Sequence, residues 1–199
     1  MNELIIATGN EGKLKEFREM LSGVPLRITS LKDHWQPVPQ IEETGSTFYE
    51  NAKIKADWVF DHSGKWALAD DSGLEVDALD GRPGVKSARY SGENATAEKN
   101  NEKLLSELAE IPSHLRTARF RCVLVARIGP QKYVSAQGAC EGRIITSQSG
   151  SGGFGYDPLF VPKGYEFTFA ELPPEEKNGI SHRAVALKAL SRELHGIFS

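Results

Sequence analysis

Two acidic pairs and one glycine-lysine turn hold most of the chemistry open to this chain. Asp70 and Asp71 end the apolar run of KWALADDSG, and Glu42 and Glu43 stand in the extended segment IEETG. Paired carboxylates suit a hard cation such as Mg²⁺, which takes oxygen ligands and is commonly completed by substrate phosphates. If strand geometry continues through Asp70 and Asp71, the two point to opposite faces, so at most one serves a given site. The residue types of DDSG are equally those of a turn. ATGNEGK, Ala7 to Lys13, lies between an apolar strand-like run and a helix-like one. That is where backbone N–H groups and a helix N-terminus can hold an anion. It is not the ATPase P-loop: only two residues separate Gly9 from Gly12, and Leu14 stands where a Ser or Thr hydroxyl would be needed.

Further cations and rings follow. Lys53 and Lys55 lie on a helix-like stretch, and Lys177 sits in EEKNGISHR; each alone reads equally as a solvated surface charge. Phe154 and Tyr156 stand in the glycine-rich GFGYDP. A nucleobase can stack on such a ring, or the ring can anchor the loop.

Composition narrows the classes. The chain has 199 residues, 39% hydrophobic and 26% charged, which fits one soluble globular domain over residues 1–199. A net charge of −3 argues against a broad nucleic-acid surface, which is normally basic. No apolar run approaches the roughly 18–20 residues that span a bilayer, and no signal-peptide layout opens the chain, so a cytoplasmic location without membrane partners is expected. Cys122 and Cys140 form no C-x-x-C pair and lie in strand-like segments, which points to buried reduced thiols. The histidines, at 34, 62, 114, 182 and 195, never fall at i, i+4, so histidine-rich metal chemistry is not expected.

The elements that must position these residues read as a strand over 4–8, a helix over 12–21 and a strand over 26–31, a β-α-β opening. After a proline-containing loop, Thr47 and Glu50 have capping-box spacing and start a helix that ends at Gly64. KWALADDSG reads as a strand running out into an acidic turn, and LEVDAL as a separate strand. A helix over 96–108 buries Leu104, Leu105 and Leu108. Two long strands from Thr117 flank the turn Gly-Pro-Gln, a short apolar LFVP follows the glycine-rich loop, and a last helix over 181–194 begins with Ser181 as N-cap. The fold class is mixed α/β, a long twisted sheet with helices on its faces.

TGNEGK, EETGSTFYENAKIKA, ADDSGLEVDAL, PGVKSARYSG, GGFGYDPLF and EEKNGISHRAVAL occur together and in this order. In that the chain resembles the inosine triphosphate pyrophosphatase family, also called the XTP/dITP diphosphatases, across nearly its whole length. The resemblance implies two lobes around a central cleft, a cytoplasmic homodimer, and Mg²⁺-dependent hydrolysis of ITP, dITP and XTP to monophosphate and pyrophosphate. It implies that Thr8, Gly9, Asn10, Glu11, Gly12 and Lys13 line the triphosphate, and that Glu42 and Asp71 serve the metal. Asp71 would also be the proton acceptor. Lys13, Lys53 and Lys177 would add positive charge where pyrophosphate leaves, and Ser72 would touch substrate. Phe154, Gly155, Tyr156 and Asp157 would wrap base and sugar, with His182 and Arg183 closing on the base. Arginine only donates hydrogen bonds, so Arg183 at the purine 6 position would favour a carbonyl over the amino group of adenine. Phe169 and the short turn GPQK depart from the family's pattern without touching a motif. A nucleotide sensor without turnover and a terminal-phosphate phosphatase or kinase are the competing functions.

Overall fold

The computed structural model describes residues 3–23 and 25–198. Its elements are β1 (Glu3–Ile6), α1 (Glu11–Met20), β2 (Arg27–Ser30), α2 (Phe48–Ser63), β3 (Trp66–Val76), α3 (Ala97–Glu107), β4 (Thr117–Gly129), β5 (Lys132–Ile144), β6 (Phe160–Pro162), α4 (Pro174–Ile180) and α5 (His182–Phe198). The sheet order is β2-β1-β3-β4-β5-β6. β1 is parallel to both β2 and β3, whereas β5 and β6 are antiparallel, so the sheet is mixed. The chain forms two compact units, one of residues 1–71, 122–138 and 184–199, the other of residues 72–121 and 139–183.

In the first unit the strands follow the period of two. Leu4, Ile6 and Leu68 pack with Leu14 and Phe17 of α1 and Ala186 and Leu190 of α5. Ile5, Ala67 and Ala69 pack on the other face with Ala52, Ala56 and Val59 of α2. A strand covered on both faces must be apolar at every position, which explains the unbroken Leu4-Ile5-Ile6 run. In the second unit, Leu104 and Leu108 at the end of α3 pack with Leu74 and Val76 of β3 and an aromatic group. Phe169, larger than expected at its position, is fully buried there against Phe120 and Phe160.

Several helix boundaries follow their sequence signals. The Thr47–Glu50 capping box is formed in both directions, and Gly64 closes α2 in the left-handed conformation at φ 66°. Thr96 caps α3 through Lys99 N–H, and Asn10 caps α1 through Lys13 N–H. Other expectations are corrected. The acidic turn and the first half of LEVDAL, as far as Val76, are one strand, β3, and Asp77–Leu79 form a short 3-10 turn. The turn-forming residue types of DDSG yield to burial of Leu68, Leu74 and Val76 along that strand. Ser181 directly precedes α5, at the position expected for its N-cap, and also closes α4, a short helix not expected from the sequence, its N–H donating to Lys177 O. α4 itself opens on Pro174, a residue suited to a first helical position. Both cysteines are buried and unbridged, as expected.

Candidate active site

The alternation along β3 decides what Asp70 and Asp71 meet. Asp70 shares the face of Leu68, toward α1; Asp71 shares the face of Ala67 and Ala69, toward α2. Accordingly Lys13 of α1 pairs with Asp70, Nζ to Oδ2 2.9 Å. Asn51 of α2 donates its Nδ2 to Asp71 Oδ2 at 3.0 Å. Lys55, one turn on from Asn51, reaches Glu43 Oε1 at 2.5 Å and the carbonyl of Asp70 at 2.6 Å. Asp70, Asp71, Asn51 and Lys55 are all buried.

Charge in this set is strongly coupled. Burial pushes the Asp71 carboxyl above the usual carboxylate range and the charge of Glu43 adds to the effect, against the opposing pull of Lys55 and Asn51. Burial disfavours the Lys55 ammonium as well, yet Asp70, Glu43 and Asp71 together hold its pKa above the ordinary lysine value. Asn51 also accepts the N–H of Gly45 at 2.8 Å, so the acidic loop and Asp71 share one amide. A Cβ at Gly45 would lie 2.7 Å from Asn51 Oδ1, so this approach requires glycine.

The glycine-lysine turn lies at the start of α1. Asn10 N–H donates to Thr8 Oγ1 at 3.1 Å, and Lys13 N–H to Asn10 Oδ1 at 3.1 Å. Gly9, Asn10 and Glu11 are exposed, and Gly12 and Lys13 half-buried. The Glu11 carboxylate bonds Lys32, so only its backbone N–H is suited to an anion.

Within the second unit, Asp157 is buried and accepts from both Phe154 N–H at 2.7 Å and Lys177 Nζ at 2.8 Å. The Phe154 ring is half-buried, with Lys177 Nζ 4.7 Å and the Arg183 guanidinium 5.4 Å from its centroid. Arg183 donates to Ser72 Oγ at 3.0 Å. His182 is buried with its ring stacked on Phe120 at 4.9 Å.

Some expected site residues are placed elsewhere. Lys53 pairs with Asp57 and lies 4.7 Å over the Tyr133 ring, outside the Asp70–Asp71 set; the lysine of α2 that reaches the aspartates is Lys55. Glu42 is exposed, and it is Glu43 that meets Lys55. Tyr156 is a core anchor, buried and donating its hydroxyl to Ser87 O at 2.9 Å. Among the described residues no group of three or more His, Cys, Asp or Glu is arranged to hold a metal ion. Asn51 is the addition to the expected set; Lys55, Glu43 and Asp70 stand among the residues the sequence offers for chemistry but outside the site that the family resemblance implies. The signal for two of them was present: Asn51 and Lys55 are i, i+4 beside the apolar stripe of Ala52, Ala56 and Val59.

Comparison with known proteins shows the family of the chain. Residues 4–193 match the model of the Ham1 family. The chain is similar to the dITP/XTP pyrophosphatase of Geobacter sulfurreducens, 51% identical over 98% of this chain and 97% of that protein. It is likewise similar to that of Oceanobacillus iheyensis, 47% identical over 99% and 100%. The solved HAM1 protein of Coxiella burnetii superposes with a TM-score of 0.88 at 42% identity, covering 98% of this chain and 100% of that one. The match over residues 4–193 takes in every site residue described above, and the chain belongs to the Ham1 family.

Proposed function

We infer that this chain hydrolyses non-standard purine nucleoside triphosphates, ITP, dITP and XTP, to the monophosphate and pyrophosphate, and so cleanses the nucleotide pool. The observation that carries the reading is the buried Asp70–Asp71 pair with Lys13 on one face and Lys55 on the other. The names of the curated relatives supply the substrate class. Both units are read as parts of one catalytic domain that works as a cytoplasmic homodimer, with no nucleic-acid or membrane partner.

The first set handles the triphosphate. The N–H groups that open α1 and the half-buried Lys13 receive phosphate oxygens; its ammonium has three donors and can keep Asp70 while doing so. Asp71 takes the proton of the attacking water, the role that the family resemblance implies for it. Asn51 holds the Asp71 carboxylate in place. The bond between the α and β phosphorus atoms breaks, and Lys13 and Lys55 face the charge on departing pyrophosphate.

Glu43, Asp70 and Asp71 against Lys13 and Lys55 leave one negative charge when all are ionised, so this set by itself does not neutralise a polyanion. Its hard oxygen donors suit Mg²⁺ held by Asp71 and an acid of the Glu42–Glu43 pair and completed by phosphate oxygens, not a cage made by the protein alone. When bound, Mg²⁺ supplies charge neutralisation at the phosphates.

The second set reads the base. Phe154 offers a ring for stacking, and Arg183 offers donors that suit the 6-oxo edge of hypoxanthine or xanthine and oppose the amino group of adenine. The purified protein with Mg²⁺ is to be given ITP, XTP, GTP and ATP. Pyrophosphate with monophosphate, fastest from ITP and XTP, is the expected product pair. Orthophosphate would instead mark terminal cleavage, and unchanged nucleotide a binding protein without turnover.

A further inference from the structure

Resting on that reading of the Phe154 loop, we propose that Asn101 of α3 is a positioning residue for base recognition, acting through the carbonyl of Gly155. The backbone acceptors of the loop show why one is needed. The carbonyl of Phe154 is taken by Asp157 N–H at 3.3 Å, and that of Tyr156 by Leu159 N–H at 2.9 Å. Between them Gly155 sits at φ 63° with open space where a Cβ would be, so no side chain of its own limits its backbone. Its carbonyl accepts from Asn101 Nδ2 at 3.1 Å. Asn101 thus completes the three consecutive carbonyls and removes the freedom that glycine leaves.

The side chain is placed for this donation at a cost. Asn101 is 2% exposed, and its Oδ1 is buried with no hydrogen-bond partner among the described residues. Turning the amide over would set that oxygen against the Gly155 carbonyl, so the donor orientation is the one the contact allows. An apolar residue would fill this position without leaving a buried acceptor unmet; retention of the amide is explained by the donor. Asn100, the next residue, makes a useful contrast. It satisfies both ends of its amide, donating to Ser87 O and Ala88 O and accepting from Ser91 N–H, all within the segment 87–91.

The proposal separates the base from the phosphates. Asn101→Asp keeps the shape and removes the donor; Asn101→Ala removes the side chain. For each, KM and kcat for ITP are measured with inhibition by IMP, which carries the base, and by inorganic tripolyphosphate, which does not. The expected result is that KM for ITP and the inhibition constant of IMP rise about three- to tenfold, as for loss of one net hydrogen bond. Inhibition by tripolyphosphate stays unchanged and kcat falls less than KM rises. Asn100→Ala is expected to lower Tm with the ratio of IMP to tripolyphosphate inhibition constants unchanged. A folded Asn101→Asp protein that weakens IMP and tripolyphosphate equally, or neither, overturns the proposal and leaves the pyrophosphatase reading standing. Wild-type protein that releases no pyrophosphate from ITP removes that reading, and the proposal falls with it.

Discussion

A buried lysine–aspartate pair occurs in each unit at nearly the same distance, Lys13 to Asp70 at 2.9 Å and Lys177 to Asp157 at 2.8 Å. What else each carboxylate holds separates them. Asp157 also takes the N–H of Phe154, and a Cβ on Gly153 would lie 2.1 Å from its Oδ2, so this pair is part of a closed loop. Lys177 has 7% of its side chain exposed and lies over the Phe154 ring. Asp70 instead neighbours a second carboxylate in sequence, and Lys13 keeps 16% of its side chain exposed at the open start of α1. On the proposed reading, the same ion pair is scaffold in one place and a charge presented to an incoming anion in the other. Buried ion pairs are weak arguments for stability in themselves, so the difference has to be read from the surrounding bonds.

The largest expected effect lies where charge is presented. Asp71→Asn keeps shape and removes the proton acceptor, and kcat/KM for ITP should fall about 10²–10⁴-fold. Circular dichroism should show the native fold. Near-normal turnover in a folded Asp71→Asn protein would sink the assignment. The next effect separates two lysines of one helix. Lys55→Met leaves Glu43 without its cation and the Asp70 carbonyl without its donor, and should cost about 3–5 kcal/mol in urea unfolding, the usual result of removing one partner of a buried pair. Lys53→Ala should leave inhibition by tripolyphosphate as in wild type, because Lys53 is held by Asp57. A loss of tripolyphosphate inhibition in Lys53→Ala would restore the sequence-based assignment.

That pair of lysines shows where sequence reading stops. The elements were legible because their causes are local: the Thr47–Glu50 box, Gly64, and the apolar alternation of the strands all act within a few residues. The segments that carry the site were legible for the same reason, as runs of Gly, Asp, Glu and Lys with few structural uses. Which lysine of KIK turns inward was not, since two positions apart on a helix differ by more than half a turn and only the packed partner selects one. Turn chemistry misled at DDSG, where burial of the flanking Leu68, Leu74 and Val76 keeps the segment in a strand. Tyr156 was ambiguous from sequence for a similar reason: its acceptor, Ser87 O, is 69 residues away.

Lys13 and Lys177 test the comparison directly. Lys13→Ala should weaken inhibition by tripolyphosphate about 10- to 100-fold, the range for a lost charge-assisted contact, with a smaller effect on IMP. Lys177→Ala should do the reverse and lower Tm, because Asp157 loses its buried cation. Equal losses for both ligands in both variants would dissolve the distinction between presented charge and scaffold.

The smallest effect concerns the network that holds Lys53, and it is one of stability alone. Asp57 Oδ1 accepts from Arg127 at 3.0 Å and from the Tyr133 hydroxyl at 2.8 Å, with Lys53 on its other oxygen. Burial would raise its carboxyl, but the bonds from Lys53 and Tyr133 and the charges of Lys53 and Arg127 outweigh that and hold it below the ordinary value. A carboxylate depressed in the folded state stabilises above its unfolded pKa, about 3.9, and that contribution is lost as pH falls through the lower folded value. Asp57→Asn should therefore be about 1–2 kcal/mol less stable than wild type in urea unfolding at neutral pH, the scale of a hydrogen-bonded charge that is partly exposed. The gap should narrow as pH is lowered below about 4, where the unfolded chain's carboxylate protonates first. Asp57 contacts neither the Asp71 nor the Phe154 set, so kcat/KM for ITP should match wild type at every pH where both are folded. A gap that stays constant with pH would mean that Asp57 acts through packing, and a fall in kcat/KM would bring Lys53 and its network back to the substrate.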